Sequence, residues 1–210
     1  MKTVYFVRHG ETEGNIGRVF QGPETPLTEK GKAQARTVAK RCARLPAQVL
    51  ISSTMKRARQ TADVISSEIG KPVELSDLFI ERRRPKALHD ASADDAAVQQ
   101  LEKDWRDSFF TDGRRILDAE NFAEVCSRAT QAFRFLEKRE EDHILVVTHG
   151  FFLRLLAAKL IFGDAVTPPQ YKHTDAIFRS INTGITVFVF EPSKPSPWQI
   201  LVWNDHAHLG

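Results

Sequence analysis

VRHGET, residues 7–12, places an arginine, a histidine and a glycine side by side at the end of a short apolar run. That run, residues 3–7, is β-branched and aromatic and has the length of a buried strand, and Gly10 ends it. Arg8 and His9 are therefore predicted at the carboxyl edge of a strand, where open α/β sheets bind ligands. A guanidinium beside a neutral imidazole suits a phosphate ester, because arginine binds phosphate oxygens and imidazole can act as a nucleophile.

A second His-Gly pair, His149-Gly150, ends another apolar run, residues 143–148. Residues 151–162 follow, rich in helix formers and too long and continuous for a strand. His149 is therefore predicted at a helix N-terminus, where unpaired N–H groups and the helix dipole attract an anion. Two strands that end in the same dipeptide indicate one shared site.

A third strand, residues 49–51, is followed by hydroxyl side chains at residues 52–54. These hydroxyls are predicted to cap a helix that starts near Met55. Arg57 would fall in the first turn of that helix, where a cation opposes the helix dipole. A bound anion would account for Arg57, and an exposed arginine is the alternative.

The order of the elements predicts an α/β fold, a three-layer α/β/α sandwich around a mostly parallel mixed sheet, formed by residues 1–210 as a single domain. Helices are predicted over residues 28–45, 55–69, 121–139 and 151–162, and strands over 3–7, 49–51, 72–75, 143–148, 183–190 and 199–203. The pattern weakens over about residues 76–120, which we interpret as a small lid insertion. Its aromatic residues, Trp105, Phe109 and Phe110, either line the substrate pocket or form a small satellite core.

The composition of the chain limits the classes of partner that it is expected to bind. The chain has 30 basic and 27 acidic residues and a net charge of +3, without the basic stripe that nucleic-acid binding requires, so no nucleic-acid partner is predicted. No run reaches membrane-spanning length and the N-terminus lacks a signal-peptide pattern, so no membrane contact is expected. Cys42 and Cys126 are interpreted as core thiols, which suits the cytoplasm. The sequence leaves open whether the chain forms a homodimer.

Metal and other hydrolytic motifs are also missing from the sequence. His206 and His208 could pair on a metal, but no further ligands stand near them at a recognisable spacing, so no metal or cofactor is predicted. There is no Walker-type phosphate loop and no Gly-x-Ser-x-Gly nucleophile elbow, which argues against P-loop nucleotide hydrolysis and serine esterase chemistry.

Taken in order, these motifs resemble those of the histidine phosphatase superfamily, also called phosphoglycerate-mutase-like. The matching pieces run along nearly the whole chain: residues 7–12, Asn15, Gln21-Gly22, residues 26–28, Ser52-Ser53, Arg57-Ala58, Thr61-Ala62, Leu78, Glu81, residues 148–150, Asn204-Asp205 and His208-Leu209. The first motif is moderately specific, and the ordered set is highly specific.

The resemblance implies a two-step phosphoryl transfer through a phosphohistidine on His9, without a metal. Arg8, Arg57 and His149 are the groups available to stabilise the charge on the transferred phosphoryl oxygens. By resemblance Asn15, Gln21 and Gly22 are further hydrogen-bond donors. The predicted substrate contacts are these three together with Gly150 and Arg82.

Glu81 matches the family position of the general acid, which protonates the leaving oxygen. Three arginines follow it directly and would favour its charged form, whereas a general acid must be protonated. We expect the incoming phosphate dianion to favour the protonated form and so to resolve this conflict. An acid-shifted rate optimum is the consequence. The alternative is a carboxylate paired with its own arginine neighbours on a solvated loop. Residues 82–86 are either a solvated charged face or a selector for a second anionic group, and they depart from the Gly and aromatic residue that family members often carry there.

The expected function is therefore hydrolysis of a small anionic phosphorylated metabolite. A phosphoglycerate-mutase-type phosphomutase is the alternative, disfavoured because mutases of the family tend to carry a longer insertion. A non-catalytic phosphate-binding module is less favoured, because nucleophile, acid and cationic groups occur together. The sequence leaves open whether Glu120, beside Asn121, touches substrate.

Overall fold

The computed structural model describes residues 1–17, 19–111 and 113–210. The described residues form a six-stranded sheet and six α-helices. The strands are β1 (Lys2–Arg8), β2 (Val49–Ser52), β3 (Val73–Leu75), β4 (His143–Thr148), β5 (Ile185–Phe190) and β6 (Trp198–Asp205). The helices are α1 (Glu29–Cys42), α2 (Lys56–Ile69), α3 (Ala96–Phe110), α4 (Phe122–Glu137), α5 (Gly150–Phe162) and α6 (Pro168–Ile177).

The strand order is β3-β2-β4-β1-β5-β6. Strands β3, β2, β4 and β1 pair in parallel, whereas β5 is antiparallel to both of its neighbours. The predicted mostly parallel mixed sheet is therefore confirmed. The two central strands, β4 and β1, are the ones that end in His-Gly pairs, so the sheet topology brings those pairs together.

Helices cover both faces of the sheet, which confirms the three-layer architecture. Alternate side chains of the central strands pack on opposite sides, as the two-residue period of a strand requires. Phe6 and Val146 belong to a core shared with α3, α4 and α5, whereas Val7 and Val147 belong to a core shared with α1 and α2. Both faces of β1 and β4 are therefore fixed by packing beside the site.

The predicted boundaries hold for most elements and fail in three places. The Thr28 hydroxyl accepts from the Gly31 N–H and caps α1 as expected, although that helix ends at Cys42 instead of residue 45. The predicted hydroxyl cap of α2 is wrong, because Met55 is its N-cap residue and makes no side-chain cap. Helix α6 was not predicted, because its sequence begins with two prolines and lacks a clear apolar stripe.

Residues 76–120 are packed into the rest of the fold. Trp105 and Phe109 on α3 are buried and belong to the larger of the two cores, together with Phe122 and Phe151. They therefore belong to the main core and do not form a separate satellite core. Residues 77, 80–84, 86, 89 and 118 of this segment line the cavity described below.

Two further observations concern the cysteines and the helix lengths. Cys42 and Cys126 are buried free thiols, as predicted, and burial raises the pKa of Cys42 to about 12 and that of Cys126 to about 11. Within the described part of the chain, no helix is both long and apolar enough to cross a bilayer.

Candidate active site

His9 and His149 leave adjacent strand ends and meet at the carboxyl edge of the sheet. Arg8 on β1 lies opposite Thr148 on β4, and the His9 N–H donates to the Thr148 carbonyl over 3.0 Å. The two imidazole rings lie 5.0 Å apart between centroids, and both residues are buried. The prediction that both strand ends serve one site is consistent with this geometry.

The His9 ring is held as a neutral imidazole with one free nitrogen. Its Nδ1 lies 2.7 Å from the Gly10 carbonyl, which can only accept, so Nδ1 carries the proton. Nε2 is therefore unprotonated, and it accepts a hydrogen bond from Arg57 Nε over 3.3 Å. Burial, then Arg57 and Arg8, keep the pKa of His9 well below its usual value. Nε2 can attack phosphorus once Arg57 Nε donates to a phosphoryl oxygen instead of to this nitrogen.

Gly10 lets the His9 loop approach the start of α1 closely. A Cβ on Gly10 would lie 2.5 Å from the Gly31 carbonyl oxygen, and a Cβ on Gly31 would lie 2.1 Å from the Glu11 carbonyl oxygen. Glycine is required at both positions because the two backbones are in contact. The contact fixes the loop whose Gly10 carbonyl orients the His9 ring.

Arg57 and Arg8 bring two buried guanidinium groups to the free side of His9. Arg57 donates to the Gly22 carbonyl over 2.8 Å, and Arg8 donates to the Ser180 carbonyl. No carboxylate pairs with either arginine in the portion of the chain that the structure describes. Burial is the main cause that lowers the pKa of each to about 10, so both stay charged at neutral pH. Two buried cations without a counter-ion favour binding of an anion.

His149 is oriented by a serine that the sequence analysis assigned to a helix cap. The Ser53 hydroxyl accepts from the Met55 N–H over 3.2 Å and lies 2.7 Å from His149 Nε2. When the Ser53 hydroxyl donates to Nε2, the proton of the neutral ring is on Nδ1. His149 Nδ1 is buried and has no hydrogen-bond partner among the residues described. In that tautomer it is a donor available to a phosphoryl oxygen.

Replacing Ser53 by alanine tests this orientation. We expect kcat for a phosphomonoester to fall by about fivefold with little change in KM, since one buried hydrogen bond contributes about 1 kcal/mol and its loss frees the His149 ring. Ser52→Ala is the matched control, because the Ser52 hydroxyl is equally buried but donates to the Ser53 carbonyl. Equal losses in the two variants would contradict the assignment.

The Glu81 carboxylate lies at the N-terminus of α5, beside His149. It accepts from the Phe151 N–H over 3.3 Å and from the Phe152 N–H over 3.1 Å. Burial lowers the pKa of Arg8, Arg57, Arg82 and Arg84, and the charge of Glu81 offsets that lowering in part. The alternative of a carboxylate on a solvated loop is therefore wrong, because Glu81 points into the site.

Glu120 does not reach the site, which answers the question that the sequence left open. It forms a two-pronged ion pair with Arg128, in which Arg128 Nε and Nη2 donate to the two carboxylate oxygens over 3.0 and 2.9 Å. Arg128 also donates to the carbonyls of Leu78, Ile80 and Glu81. The buried pair thus holds the backbone on both sides of the Glu81 side chain.

Four other substrate contacts were predicted near His9, and each has a different role in the structure. They are Asn15, Gln21, Gly22 and Gly150. The Asn15 amide oxygen accepts from Thr12 and Asn182, which leaves its NH₂ group without an acceptor in the described chain. Gln21 and Gly22 line the cavity, but the Gly22 N–H already donates to the Thr25 hydroxyl over 2.8 Å. Gly22 therefore contributes through its carbonyl, which fixes Arg57.

Gly150 is the first residue of α5 and packs against Arg8. A Cβ there would lie 2.8 Å from Ser180 Oγ and 3.3 Å from Arg8 Nε, so glycine leaves the room that Arg8 occupies. Asn182, which sequence reasoning missed, donates to the His9 carbonyl over 2.9 Å. Only a comparison of strand ends across the sheet could have suggested it, because Asn182 precedes β5 and lies far from His9 in sequence.

A cavity of about 480 Å³ opens beside these residues. Arg57 and Glu81 line it, whereas His9 and His149 lie deeper and are almost fully buried. Four further basic residues, Arg82, Arg83, Arg84 and Lys86, form part of its wall. Across the described residues, no group of three or more His, Cys, Asp or Glu side chains is placed to hold a metal ion.

Comparison with known proteins identifies relatives of similar length. The model of the histidine phosphatase superfamily (branch 1) matches residues 4–206. The chain is 33% identical to a protein of Serratia proteamaculans named probable phosphoglycerate mutase GpmB, over all of this chain and 95% of that protein.

Solved structures repeat the fold. YhfR of Bacillus stearothermophilus superposes with a TM-score of 0.83 at 26% identity, and the match covers 100% of both chains. A phosphoserine phosphatase of Entamoeba histolytica, solved with 3-phosphoglyceric acid, superposes with a TM-score of 0.76 at 24% identity over 100% of both chains. At 24% identity, the match to the phosphoserine phosphatase is evidence for the fold alone.

Proposed function

The chain is an enzyme that belongs to the histidine phosphatase superfamily (branch 1), and we propose that it hydrolyses a small anionic phosphomonoester through a phosphohistidine on His9. The observation that carries the proposal is the arrangement around His9 Nε2. This unprotonated nitrogen faces Arg57 at 3.3 Å, and the His149 ring lies 5.0 Å from its own. A phosphoryl group placed there would meet a nucleophile and the donors that its oxygens need.

In the first step His9 Nε2 attacks phosphorus, and the bond from phosphorus to the ester oxygen breaks. The departing electron pair stays on the ester oxygen, which takes a proton from Glu81 and leaves as an alcohol. Arg8, Arg57 and His149 Nδ1 donate to the three equatorial oxygens as their charge develops. The Gly10 carbonyl accepts from His9 Nδ1 and stabilises the positive ring that forms.

In the second step a water molecule attacks the phosphohistidine. Its proton passes to the Glu81 carboxylate, its oxygen bonds to phosphorus, and the electron pair of the phosphorus–nitrogen bond returns to His9 Nε2. Inorganic phosphate leaves and the enzyme returns to its starting state. We propose that Asn15 and Gln21 contact the substrate during both steps, and that Gly22 and Gly150 act through the arginines that they position, Arg57 and Arg8.

A phosphomutase is the second candidate, favoured by the name of the Serratia proteamaculans relative. It would use the same first step and return the phosphoryl group to substrate instead of water. One assay separates the two: release of inorganic phosphate from sugar phosphates, phosphoglycerates, phosphoamino acids and nucleotides, with and without a chelator. We expect phosphate release that the chelator does not change. Isomerisation of a phosphoglycerate without net phosphate release would establish the mutase.

The pH dependence gives an independent check. Because burial and two arginines keep the pKa of His9 well below its ordinary value, the nucleophile stays unprotonated as the pH falls below 6.5. The first step uses a proton held by Glu81, and carboxyl groups lose their protons as the pH rises. We therefore expect kcat for an alkyl phosphate to be highest on the acid side of neutrality. A profile that is flat or rises through pH 8 would remove Glu81 from the acid role.

The partner that we propose is the small phosphorylated substrate, and we place the enzyme in the cytoplasm. Two buried free thiols suit a reducing compartment. A homodimer is part of the same proposal, to be judged by sedimentation of the purified protein.

A further inference from the structure

Three buried donors outside the phosphate-binding groups have no acceptor. Seven buried side-chain nitrogens in the described residues lack a hydrogen-bond partner, and Arg8 Nε and His149 Nδ1 belong to the site already described. Arg82 Nη1, Arg84 Nη1 and Trp105 Nε1 are three of the others. A buried N–H without an acceptor is costly, so a group of three suggests that an acceptor is supplied by a ligand.

These three donors lie together. The Arg82 guanidinium carbon is 4.5 Å from the ring centroid of Trp105, and the Arg84 guanidinium carbon is 5.1 Å from the same centroid. Phe151 contacts the Arg82 guanidinium at 4.5 Å. Both arginines line the cavity that Arg57 and Glu81 also line, whereas Trp105 is buried against them and does not line it.

Protein carboxylates balance the charge around this cluster only in part. Arg82 has no ion pair within the described portion of the chain. Arg84 Nη1 lies 3.5 Å from one oxygen of Glu102, an ion pair without a hydrogen bond, and the same oxygen lies 3.8 Å from Arg106. Burial first, and then Arg84, lower the pKa of Arg82 to about 10. Guanidinium groups that repel one another in a buried place favour an anion between them.

Packing alone does not account for the arrangement. Stacking of a guanidinium on Trp105 and Phe151 is favourable, but it uses the ring faces and leaves the N–H groups unsatisfied. The indole N–H of Trp105 is buried as well and gains nothing from that stacking. An oxyanion in reach of all three donors would satisfy them together.

We propose that Arg82, Arg84 and Trp105 Nε1 bind a second anionic group of the substrate. This inference rests on the proposed function. It names the substrate class as a phosphomonoester that carries a carboxylate or a further phosphate at the end remote from the scissile bond. Arg57 and Glu81 would contact the transferred phosphate, while the Trp105 cluster selects the remainder of the molecule.

The test compares substrates that differ only in the second group. Glycerol 3-phosphate is neutral at the remote carbon, 3-phosphoglycerate carries a carboxylate there, and a glycerol bisphosphate carries a phosphate. We expect the enzyme to prefer one of the two anionic substrates by at least tenfold in kcat/KM. Which of them is preferred identifies the anion, and no preference for either would overturn the proposal.

Arg82→Gln should lower kcat/KM for the preferred anionic substrate by about 10- to 100-fold, the range expected for a charge-assisted hydrogen bond, and by less than about threefold for glycerol 3-phosphate. Trp105→Phe keeps a ring and removes only the N–H, so a smaller loss with the same selectivity is expected. Arg115→Gln is the matched control, because it removes the same charge from the insertion. Native Arg115 pairs with Glu124 and does not line the cavity. Equal losses on both substrates would show that Arg82 is only structural.

Failure of the proposed function would look different. If no phosphomonoester is turned over, the phosphatase and mutase proposals both fail. The subsite is then judged by calorimetric binding of 3-phosphoglycerate, the bisphosphate and glycerol 3-phosphate to the His9→Ala protein. Preferential binding of an anionic compound that Arg82→Gln removes would still support the subsite, and equal binding of all three would overturn it.

Discussion

His9→Ala is expected to abolish turnover of every phosphomonoester, with a loss of about 10⁴-fold or more, the scale seen when a catalytic nucleophile is removed. The reason is geometric. His9 Nε2 is an unprotonated buried nitrogen that accepts from Arg57 Nε. Arg8 and Arg57 are protonated and can stabilise charge but cannot attack phosphorus, and His149 Nε2 is engaged with the Ser53 hydroxyl. Without His9 the reaction would need direct attack by water.

The measurement is release of inorganic phosphate, together with trapping of the intermediate. Brief incubation with a radiolabelled substrate followed by denaturation should leave acid-labile, alkali-stable label on the native protein and none on His9→Ala. Calorimetry should show that the variant still binds substrate, because both buried arginines are kept. His173→Ala, an exposed histidine on α6, is the control and should keep full activity and label. A variant that retains activity within tenfold of native would exclude His9 as nucleophile.

The parts of the site that the sequence predicted are those that strand ends and helix starts determine locally. His9 and His149 follow runs of β-branched and aromatic residues, and their position at the carboxyl edge follows from the parallel pairing of β1 with β4. Arg57 was predicted because a cation in the first turn of a helix is unfavourable without an anion. In each case one sequence window contains the signal.

The parts that the sequence did not predict depend on contacts between distant windows. Ser53 resembles a helix cap, and only the fold reveals that its hydroxyl reaches His149, 96 positions away. Glu120 and Arg128 are eight positions apart, but their common role is set by three carbonyls near residue 80. Side-chain partners of this kind have no period and no spacing, so no pattern within one element could predict them.

Glu81→Gln is expected to slow hydrolysis of an alkyl phosphate by about 10²- to 10⁴-fold, the range that positioned general acids contribute. The same variant should slow hydrolysis of p-nitrophenyl phosphate by about tenfold or less, because nitrophenolate is a good leaving group that departs without a proton. The Glu81 carboxylate lies at the N-terminus of α5 and accepts from the Phe151 and Phe152 N–H groups on its two oxygens. Glutamine has nearly the same shape, and its single amide oxygen can still accept at this helix N-terminus. The variant therefore removes the proton and keeps the position.

The difference between the two substrates is what identifies the acid. A residue that only positions the site would slow both substrates equally, because both need the same phosphoryl geometry in the first step. Glu24→Gln, an exposed carboxylate that pairs with Arg59, should change neither rate. Arg128→Gln keeps the Glu81 carboxyl group but releases the Ile80 and Glu81 carbonyls that hold its backbone. We therefore expect this variant to lower kcat for the alkyl phosphate by a larger factor than it changes KM for that substrate. If Glu81→Gln slowed both substrates by the same factor, the proton would have to come from another group, and the carboxylate at the start of α5 would serve to position that helix.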